Sequence, residues 1–280
     1  MDYPAAAEGG KNPSGELRRR LDLFANIRPA RTMPGVPTPL NRDFDLVIVR
    51  ENTEGFYADR TMYQGTGEFM PTPDIALAMR KVTREGSERI VREAFELAKK
   101  RRSEITVVHK ANVLRTSDGL FLECARSVAS EYPDVSYEEV LVDAMAAHLI
   151  RRPEAFDVIV TTNMFGDILS DEATELAGGL GMAASINTGA VHAIAQAQHG
   201  SAPALAGQNV ANPCSLIGSA AMLLEWLSDR RDDARLRTAG AAIMSALEAT
   251  MADPATRTRD LGGTACTADV AQAIAARLES

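Results

Sequence analysis

The chain has 280 residues, 45% of them hydrophobic, which is enough for a substantial buried core in one large or two modest domains. Its 30 Lys and Arg against 38 Asp and Glu give a formal charge of −8, so nucleic acid and acidic membranes are not expected as partners. The three cysteines are widely spaced and form no zinc or redox pair. No signal peptide or membrane-spanning run is found, so a cytoplasmic location is expected.

Short β-branched runs alternate with a helical pattern in the first part of the chain. Strands are predicted at 44–49, 104–109, 135–142 and 156–162, with an amphipathic helix at 83–102. This alternation predicts an α/β fold. A Gly-rich stretch at 177–189 and a loop at 199–213 then lead into helices predicted at 214–227, 233–251 and 267–279, which indicates a second domain.

Three carboxylates, Asp143, Asp167 and Asp171, follow predicted strands or lie in the first turns of the next helix. Ligands of open α/β sheets bind at the carboxyl ends of strands, and Mg²⁺ and Mn²⁺ prefer oxygen ligands. Asp167 and Asp171 are four residues apart, so on a helix their like charges cost stability unless a partner compensates them. A divalent cation would be such a partner. The alternative is that the helix dipole favours Asp167 while Asp171 faces solvent, and spacing alone favours this alternative.

Several other side chains are candidates for chemistry, each with a plain structural alternative. Lys110 directly follows a predicted strand, where burial could make it a general base, although a strand-exit lysine usually reaches solvent. Arg28 and Arg50 are attached to apolar segments and could clamp carboxylates, whereas Arg18 has the pattern of a helix-surface residue. Tyr57 could supply a hydroxyl to the same pocket or simply pack.

The loop at 199–213 combines small residues with a histidine ahead of a predicted helix, which suits close approach by a nucleotide. It does not match the GxGxxG fingerprint, so composition alone does not make it a cofactor site.

Six ordered motifs together resemble the isocitrate/isopropylmalate dehydrogenase family of metal-dependent β-decarboxylating dehydrogenases. The resemblance runs from about residue 16 to the C-terminus. The motifs are "LDLFANIRPAR", "VRENTEGFY", "HKANVLRTSDGLFLE", "FDVIVTTNMFGDILSDEATELAGGLG", "HGSAPALAGQNVANP" and "DLGGTACTADV".

The resemblance implies an isopropylmalate-dehydrogenase-like two-domain α/β fold. Residues 1–23 and 178–280 would form the remainder of a large cofactor-binding domain, and residues 24–177 a small domain with the substrate and metal site and the dimer interface. Family members open with βα units that precede the first motif here, so we expect an N-terminally truncated version with partly uncovered apolar surfaces on helices 214–227 and 267–279. A catalytically impaired fragment or non-catalytic subunit is the alternative to an active enzyme.

The implied reaction is metal-dependent oxidation of a (2R)-malate-type substrate by a nicotinamide cofactor, then loss of CO₂ and protonation of the enol. Lys110 would take the C2 hydroxyl proton and Tyr57 would protonate the enol. The expected carboxylate clamps are Arg18, Arg28 and Arg50, and the expected ligands of Mg²⁺ or Mn²⁺ are Asp143, Asp167 and Asp171. In this family the lysine and one metal aspartate come from the neighbouring subunit, so Lys110 and Asp143 imply a homodimer with shared active sites.

The resemblance also implies a cofactor site. The positions that match the adenosine loop are His199, Gly200, Ser201, Ala202 and Asn212, and Asn112 matches a position near the nicotinamide. The pair Ala204–Leu205 replaces both the acidic residue of NAD-using members and the Lys-Tyr pair of NADP-using members. Because a 2′-phosphate would lack cationic and phenolic partners there, NAD is expected rather than NADP.

The substrate is left open among isopropylmalate, isocitrate, homoisocitrate, tartrate and D-malate. The segment "NPSGE" at 12–16 matches no substrate signature of the family, while "RENTEG" at 50–55 favours the members other than isopropylmalate enzymes. With a cation as the partner of the aspartate pair, Asp167→Asn is expected to abolish metal-dependent turnover. The same change is expected to leave the fold intact or slightly more stable without metal.

Overall fold

The computed structural model describes residues 13–57 and 62–279, which form a seven-stranded mixed sheet with helices on both faces and a separate two-stranded ribbon. The order of the large sheet is β6-β5-β7-β2-β1-β8-β9, and β3 and β4 form the ribbon. The strands are β1 (Ala25–Arg31), β2 (Asp45–Glu51), β3 (Glu68–Thr72), β4 (Ile75–Ala78), β5 (Glu104–His109), β6 (Ser136–Leu141), β7 (Val158–Thr161), β8 (Ile186–Thr188) and β9 (Ala193–Ala195).

Eight α-helices lie in the described ranges. They are α1 (Pro13–Arg20), α2 (Arg84–Lys99), α3 (Ser117–Ala129), α4 (Val142–Arg151), α5 (Asn163–Ala177), α6 (Cys214–Arg231), α7 (Ala234–Ala252) and α8 (Thr267–Glu279). No helix in this part of the chain is long and apolar enough to cross a membrane.

The predicted α/β class is confirmed, and the four predicted strands are β2, β5, β6 and β7. These four run parallel to one another, so their carboxyl ends lie at one edge of the sheet. This edge is where the ligand-binding side chains of an open α/β sheet are expected.

The predicted amphipathic helix is α2, and the three predicted late helices are α6, α7 and α8.

The strand β1 was not predicted, because Pro29 interrupts its sequence pattern. Hydrogen-bonded and non-hydrogen-bonded residue pairs alternate along two antiparallel strands. Because the Thr32 N–H donates to the Phe44 carbonyl, residue 29 of β1 falls in a non-hydrogen-bonded pair with β2. The strand β8 pairs only with residues 25–27, so proline at 29 removes no donor that the sheet uses. Tertiary pairing thus overrides the local signal.

Two apolar cores cover the faces of the sheet. On one face α2 and α3 pack on β2, β5 and β7 through side chains such as Phe95 and Phe121. On the other face α4 and α5 pack through Met145, Leu149 and Leu169. These two layers hold the sheet edge, and with it the start of α5, in a fixed position.

The C-terminal helices build a third core around Leu247, Met251 and Val270. The helices α6 and α8 each have an exposed large apolar side chain, Leu216 at 57% and Leu278 at 45%. The single sheet continues across the expected domain boundary at 177/178, because β8 pairs with β1. The division into two domains remains a prediction.

Replacing Phe95 with alanine tests the first core. Its ring is fully buried and stacks on Tyr132 with ring centroids 4.8 Å apart. We expect Phe95→Ala to lower the free energy of unfolding by about 3–5 kcal/mol through lost burial and a residual cavity. Urea denaturation followed by circular dichroism measures this. Leu278→Ala, at a half-exposed position on α8, serves as the control and should cost less than about 1 kcal/mol.

Candidate active site

The side chains of three neighbouring elements meet where β2 ends and α5 begins. Arg50 lies in β2 beside Thr161 of the parallel strand β7, and the chain turns directly from β7 into α5. Arg28 lies in β1, opposite Ile48 of β2. A Cβ at Gly166 would come within 2.7 Å of the Arg50 side chain, so glycine lets the arginine lie across the first turn of α5.

Asp167 is the centre of this cluster. Its Oδ1 accepts from Nη1 of Arg28 at 3.1 Å and also from Nη1 of Arg50. Its Oδ2 accepts from the Tyr57 hydroxyl at 3.3 Å, and the Arg50 guanidinium lies 5.7 Å from the Tyr57 ring centroid. Asp171, one helical turn on, lies 3.5 Å from Arg28 Nη1. The structure thus brings together Arg28, Arg50, Tyr57 and the aspartate pair.

The two arginines are buried, with exposed fractions of 5% for Arg28 and 2% for Arg50. Burial lowers the pKa of Arg28, and the charges of Asp167 and Asp171 oppose that effect. A divalent cation was predicted from the sequence as the partner of the aspartate pair, and two guanidinium groups are further partners within the chain. With these contacts, Asp167→Asn is expected to destabilise the metal-free protein instead of leaving it unchanged or more stable. Removing this carboxylate would leave two buried cations side by side.

A turn stabilised by buried carboxylates carries Tyr57 to this cluster. Glu51 accepts from the Thr53 N–H at 2.7 Å and from the Glu54 N–H at 2.8 Å. Burial raises the pKa of Glu51. Glu54 in turn accepts from the N–H and the hydroxyl of Thr83, at the start of α2. These two glutamates were not identified from the sequence, where their only signal was their place in "RENTEG".

Lys110 and Asp143 form a second group at the same edge of the sheet. They follow the adjacent parallel strands β5 and β6, and Lys110 Nζ donates to Asp143 Oδ1. This hydrogen bond lowers the pKa of Asp143. The Lys110 N–H donates to the fully buried Asp118, which also pairs with Arg80. Asp118 and Arg80 were not identified from the sequence, because only the fold brings them to Lys110.

The aspartates fit a divalent cation in part. Asp167 and Asp171 present oxygen atoms on one helix face, and their side chains are 36% and 54% exposed, so a cation has access to them. Within the described part of one chain, no group of three or more His, Cys, Asp and Glu residues is placed to hold a metal. Asp143 therefore does not join the pair within one subunit. Its contribution from a neighbouring subunit remains a prediction.

The expected adenosine loop lies on the surface ahead of α6. Four of its candidate residues are exposed, namely His199, Gly200, Ser201 and Ala202. Asn212 is half-buried, with its Nδ2 donating to Asp260 at 3.0 Å and its Oδ1 accepting from the N–H of Cys214, the first residue of α6. Gly200, Ser201 and Ala202 have little side-chain volume and leave room for close approach by a nucleotide, and cofactor binding at this loop remains a prediction.

The two remaining candidates lie outside the Asp167 cluster as the structure describes its contacts. Asn112 is exposed in the turn that follows Lys110. Arg18 lies in the last turn of α1 and is half-buried. Their roles at the cofactor and the substrate remain predictions.

Buried arginines beside exposed carboxylates at the carboxyl edge of a parallel-rich sheet are typical of a binding site for a small anion, which makes this cluster the candidate site. The family described as isocitrate/isopropylmalate dehydrogenase matches residues 3–274, and the chain belongs to this family. Family members are dehydrogenases, so the chain is classed as an oxidoreductase.

The chain is similar to several named dehydrogenases. It is 44% identical over 278 residues to the 3-isopropylmalate dehydrogenase of Methanothermobacter thermautotrophicus, covering 99% of this chain and 79% of that protein. It is 43% identical over 266 residues to the isocitrate/homoisocitrate dehydrogenase of Thermus thermophilus, covering 94% and 74%. The crystal structure of isocitrate dehydrogenase from Methylococcus capsulatus superposes with a TM-score of 0.89 at 40% identity, covering 100% and 80%. These relatives act on different hydroxy acids, so the substrate of this chain is not resolved by similarity.

Removing the negative charge of Asp167 tests whether the cluster stabilises the folded protein. We expect Asp167→Asn to lower the free energy of unfolding by about 2–4 kcal/mol, because Arg28 and Arg50 lose their shared counterion. Asp171→Asn is the matched control and should cost less than about 1 kcal/mol, since that carboxylate is more exposed. Denaturation in metal-free buffer measures both. Equal stability of Asp167→Asn and the unmodified protein would contradict this account.

Proposed function

We propose that the protein catalyses NAD-dependent oxidative decarboxylation of a D-malate-type 2-hydroxy dicarboxylate with Mg²⁺ or Mn²⁺. The observation that carries the proposal is the pair of buried guanidinium groups, Arg28 and Arg50, directed at one carboxylate beside Tyr57. This arrangement offers two fixed cations to a substrate with two carboxylates, next to carboxylate oxygens that suit a divalent cation.

Each side chain has a defined task in this proposal. Arg28 and Arg50, with Arg18, bind and orient the substrate carboxylates. Lys110 of the neighbouring subunit accepts the C2 hydroxyl proton, and Tyr57 delivers a proton to the enol carbon after CO₂ leaves. Asp167 and Asp171, with Asp143 of the neighbouring subunit, would hold the divalent cation, which would supply polarisation of the substrate oxygens, and the nicotinamide would supply the hydride acceptor. In the absence of substrate, Asp167 is the anion that the two arginines contact.

The choice of cofactor is supported by the loop ahead of α6. The exposed Ala204–Leu205 pair supplies neither a cation nor a phenol for a 2′-phosphate, which supports NAD over NADP. A cytoplasmic location is part of the proposal. Isopropylmalate, isocitrate, homoisocitrate, tartrate and D-malate are the candidate substrates.

We further propose a homodimer with shared active sites. The ribbon β3–β4 leaves Phe69, Met70, Ile75 and Leu77 between 46% and 63% exposed. Ile168 on α5, next to Asp167, is 58% exposed. Apolar surface of this kind on a soluble chain supports contact with a second copy. A second copy that covers α5 could bring its own Lys110 and Asp143 to the Asp167 cluster.

The proposed reaction predicts NADH formation from one of the five candidate acids in the presence of Mg²⁺ or Mn²⁺. Chelation of the metal should abolish it, and NADP should support a rate at least about tenfold lower, because the 2′-phosphate lacks partners. Absorbance at the wavelength of NADH measures the rate. A folded dimer that is silent on all five acids would favour a non-catalytic member of the family.

The shared site predicts complementation between two inactive variants. Lys110→Ala and Asp167→Asn should each be inactive alone. After co-refolding, hybrid dimers carry one site with both native residues, so up to about a quarter of the original activity returns. The matched control combines Lys110→Ala with Asp143→Asn, which damage the same side of the shared site and should restore nothing. Equal recovery in both mixtures would contradict the shared arrangement.

A further inference from the structure

Two buried asparagines contact the two arginines in the same way. Asn26 Oδ1 accepts from Arg28 Nε at 2.5 Å. Asn163 Oδ1 accepts from both Nε and Nη2 of Arg50, at 3.0 Å and 2.7 Å. Both asparagines have an exposed fraction of 0%. The two come from different elements, β1 and the start of α5, so the arrangement arises twice independently.

The side-chain amide of each asparagine is also held in place through its nitrogen atom. Asn26 Nδ2 donates to the Ile186 carbonyl of β8 at 3.2 Å, and Asn163 Nδ2 donates to the Glu54 carbonyl at 3.0 Å. Because the amide nitrogen is engaged by a backbone acceptor, the amide oxygen must face the arginine. The orientation of the acceptor is thus set by the backbone rather than by the arginine itself.

These contacts determine which part of each guanidinium faces the site. The Nε side of Arg28 and the Nε and Nη2 side of Arg50 are engaged by amide oxygens. Nη1 of each arginine is directed to Asp167. Gly166 leaves the space in which the Arg50 side chain lies. Both guanidinium groups are therefore oriented before any ligand arrives, which reduces the ordering cost of binding.

The amide oxygens that accept these hydrogen bonds belong to uncharged side chains. An aspartate has nearly the same size and would accept the same hydrogen bonds, but it would cancel one unit of positive charge at each arginine. In a buried site an additional counter-charge acts at low effective dielectric, so its effect on an anionic ligand is large. An asparagine orients the guanidinium and leaves its charge available.

We propose that Asn26 and Asn163 are positioning residues that orient Arg28 and Arg50 while preserving their positive charge for the carboxylates of the substrate. This inference rests on the proposed function, since it takes the two arginines as substrate clamps. It adds two residues that set substrate affinity without contacting the reacting atoms.

The test compares Asn26→Asp and Asn163→Asp with the alanine variants at both positions, using the intact dimer with metal and NAD. We expect each aspartate variant to raise KM for the hydroxy acid at least about tenfold while kcat changes less than about threefold, because the lost charge acts on binding. Asn41→Asp is the control for the charge change itself. Asn41 is exposed in the loop ahead of β2, at the opposite end of that strand from Arg50, and its substitution should leave KM within about twofold. A KM within twofold of the unmodified protein in a folded aspartate variant overturns the proposal.

A spectroscopic measurement tests orientation apart from turnover. The Nε–H groups of Arg28 and Arg50 should give slowly exchanging arginine resonances in ¹⁵N-resolved NMR spectra of the metal-free protein, assigned with Arg28→Lys and Arg50→Lys. Asn26→Ala and Asn163→Ala should each abolish the corresponding slow exchange. Because this measurement uses the alanine variants, it still tests the proposal if an aspartate variant does not fold. Rapid exchange of both resonances in the unmodified protein overturns the proposal.

Failure of the proposed function is distinguished by calorimetry with D-malate and Mg²⁺. If no candidate acid is turned over but D-malate binds, and binds at least about tenfold more weakly to the aspartate variants, the proposed reaction fails and the inference stands. If D-malate and the other four acids do not bind to the unmodified protein, both fail.

Discussion

The contact of two buried guanidinium groups with one carboxylate is the constraint on which the site depends. Arg28 and Arg50 are almost entirely buried and both direct Nη1 to Asp167. Two buried like charges are unstable unless a counterion lies between them. Asp167 supplies that counterion from the first turns of α5, so the strands β1 and β2 and the helix α5 are joined by electrostatics as well as by apolar packing.

This interaction restricts the size and hydrogen-bonding capacity of the neighbouring side chains. Gly166 must be small because the Arg50 side chain crosses α5 there. Asn163, one turn earlier, must be an acceptor that also donates, since it joins Arg50 to the Glu54 carbonyl. Glu54 then connects this turn to the start of α2 through Thr83. The chain of contacts runs from the site into the core of the first sheet face.

The contrast between the Asp167 cluster and the Lys110–Asp143 pair is informative about assembly. Both groups lie at the carboxyl edge of the same sheet, yet β7 and β2 carry one and β5 and β6 carry the other. Exposed apolar side chains on α5 and on the ribbon lie on the surface of the chain. In the proposed homodimer, a second copy that covers them would complete the site, and assembly and catalysis would then depend on the same surface.

The sequence by itself determined the α/β class, the positions of β2, β5, β6 and β7 and the helices α2, α6, α7 and α8, because hydrophobic periodicity over such lengths is a local property. It also identified Arg28, Arg50, Tyr57, Asp167 and Asp171, through ordered motifs. Only the tertiary structure decided that β1 tolerates Pro29, that the aspartate pair is compensated by arginines, and that Asn26, Asn163, Asp118 and Glu54 support the site. These residues act through partners distant in the chain, and pairing across the sheet cannot be read from local pattern.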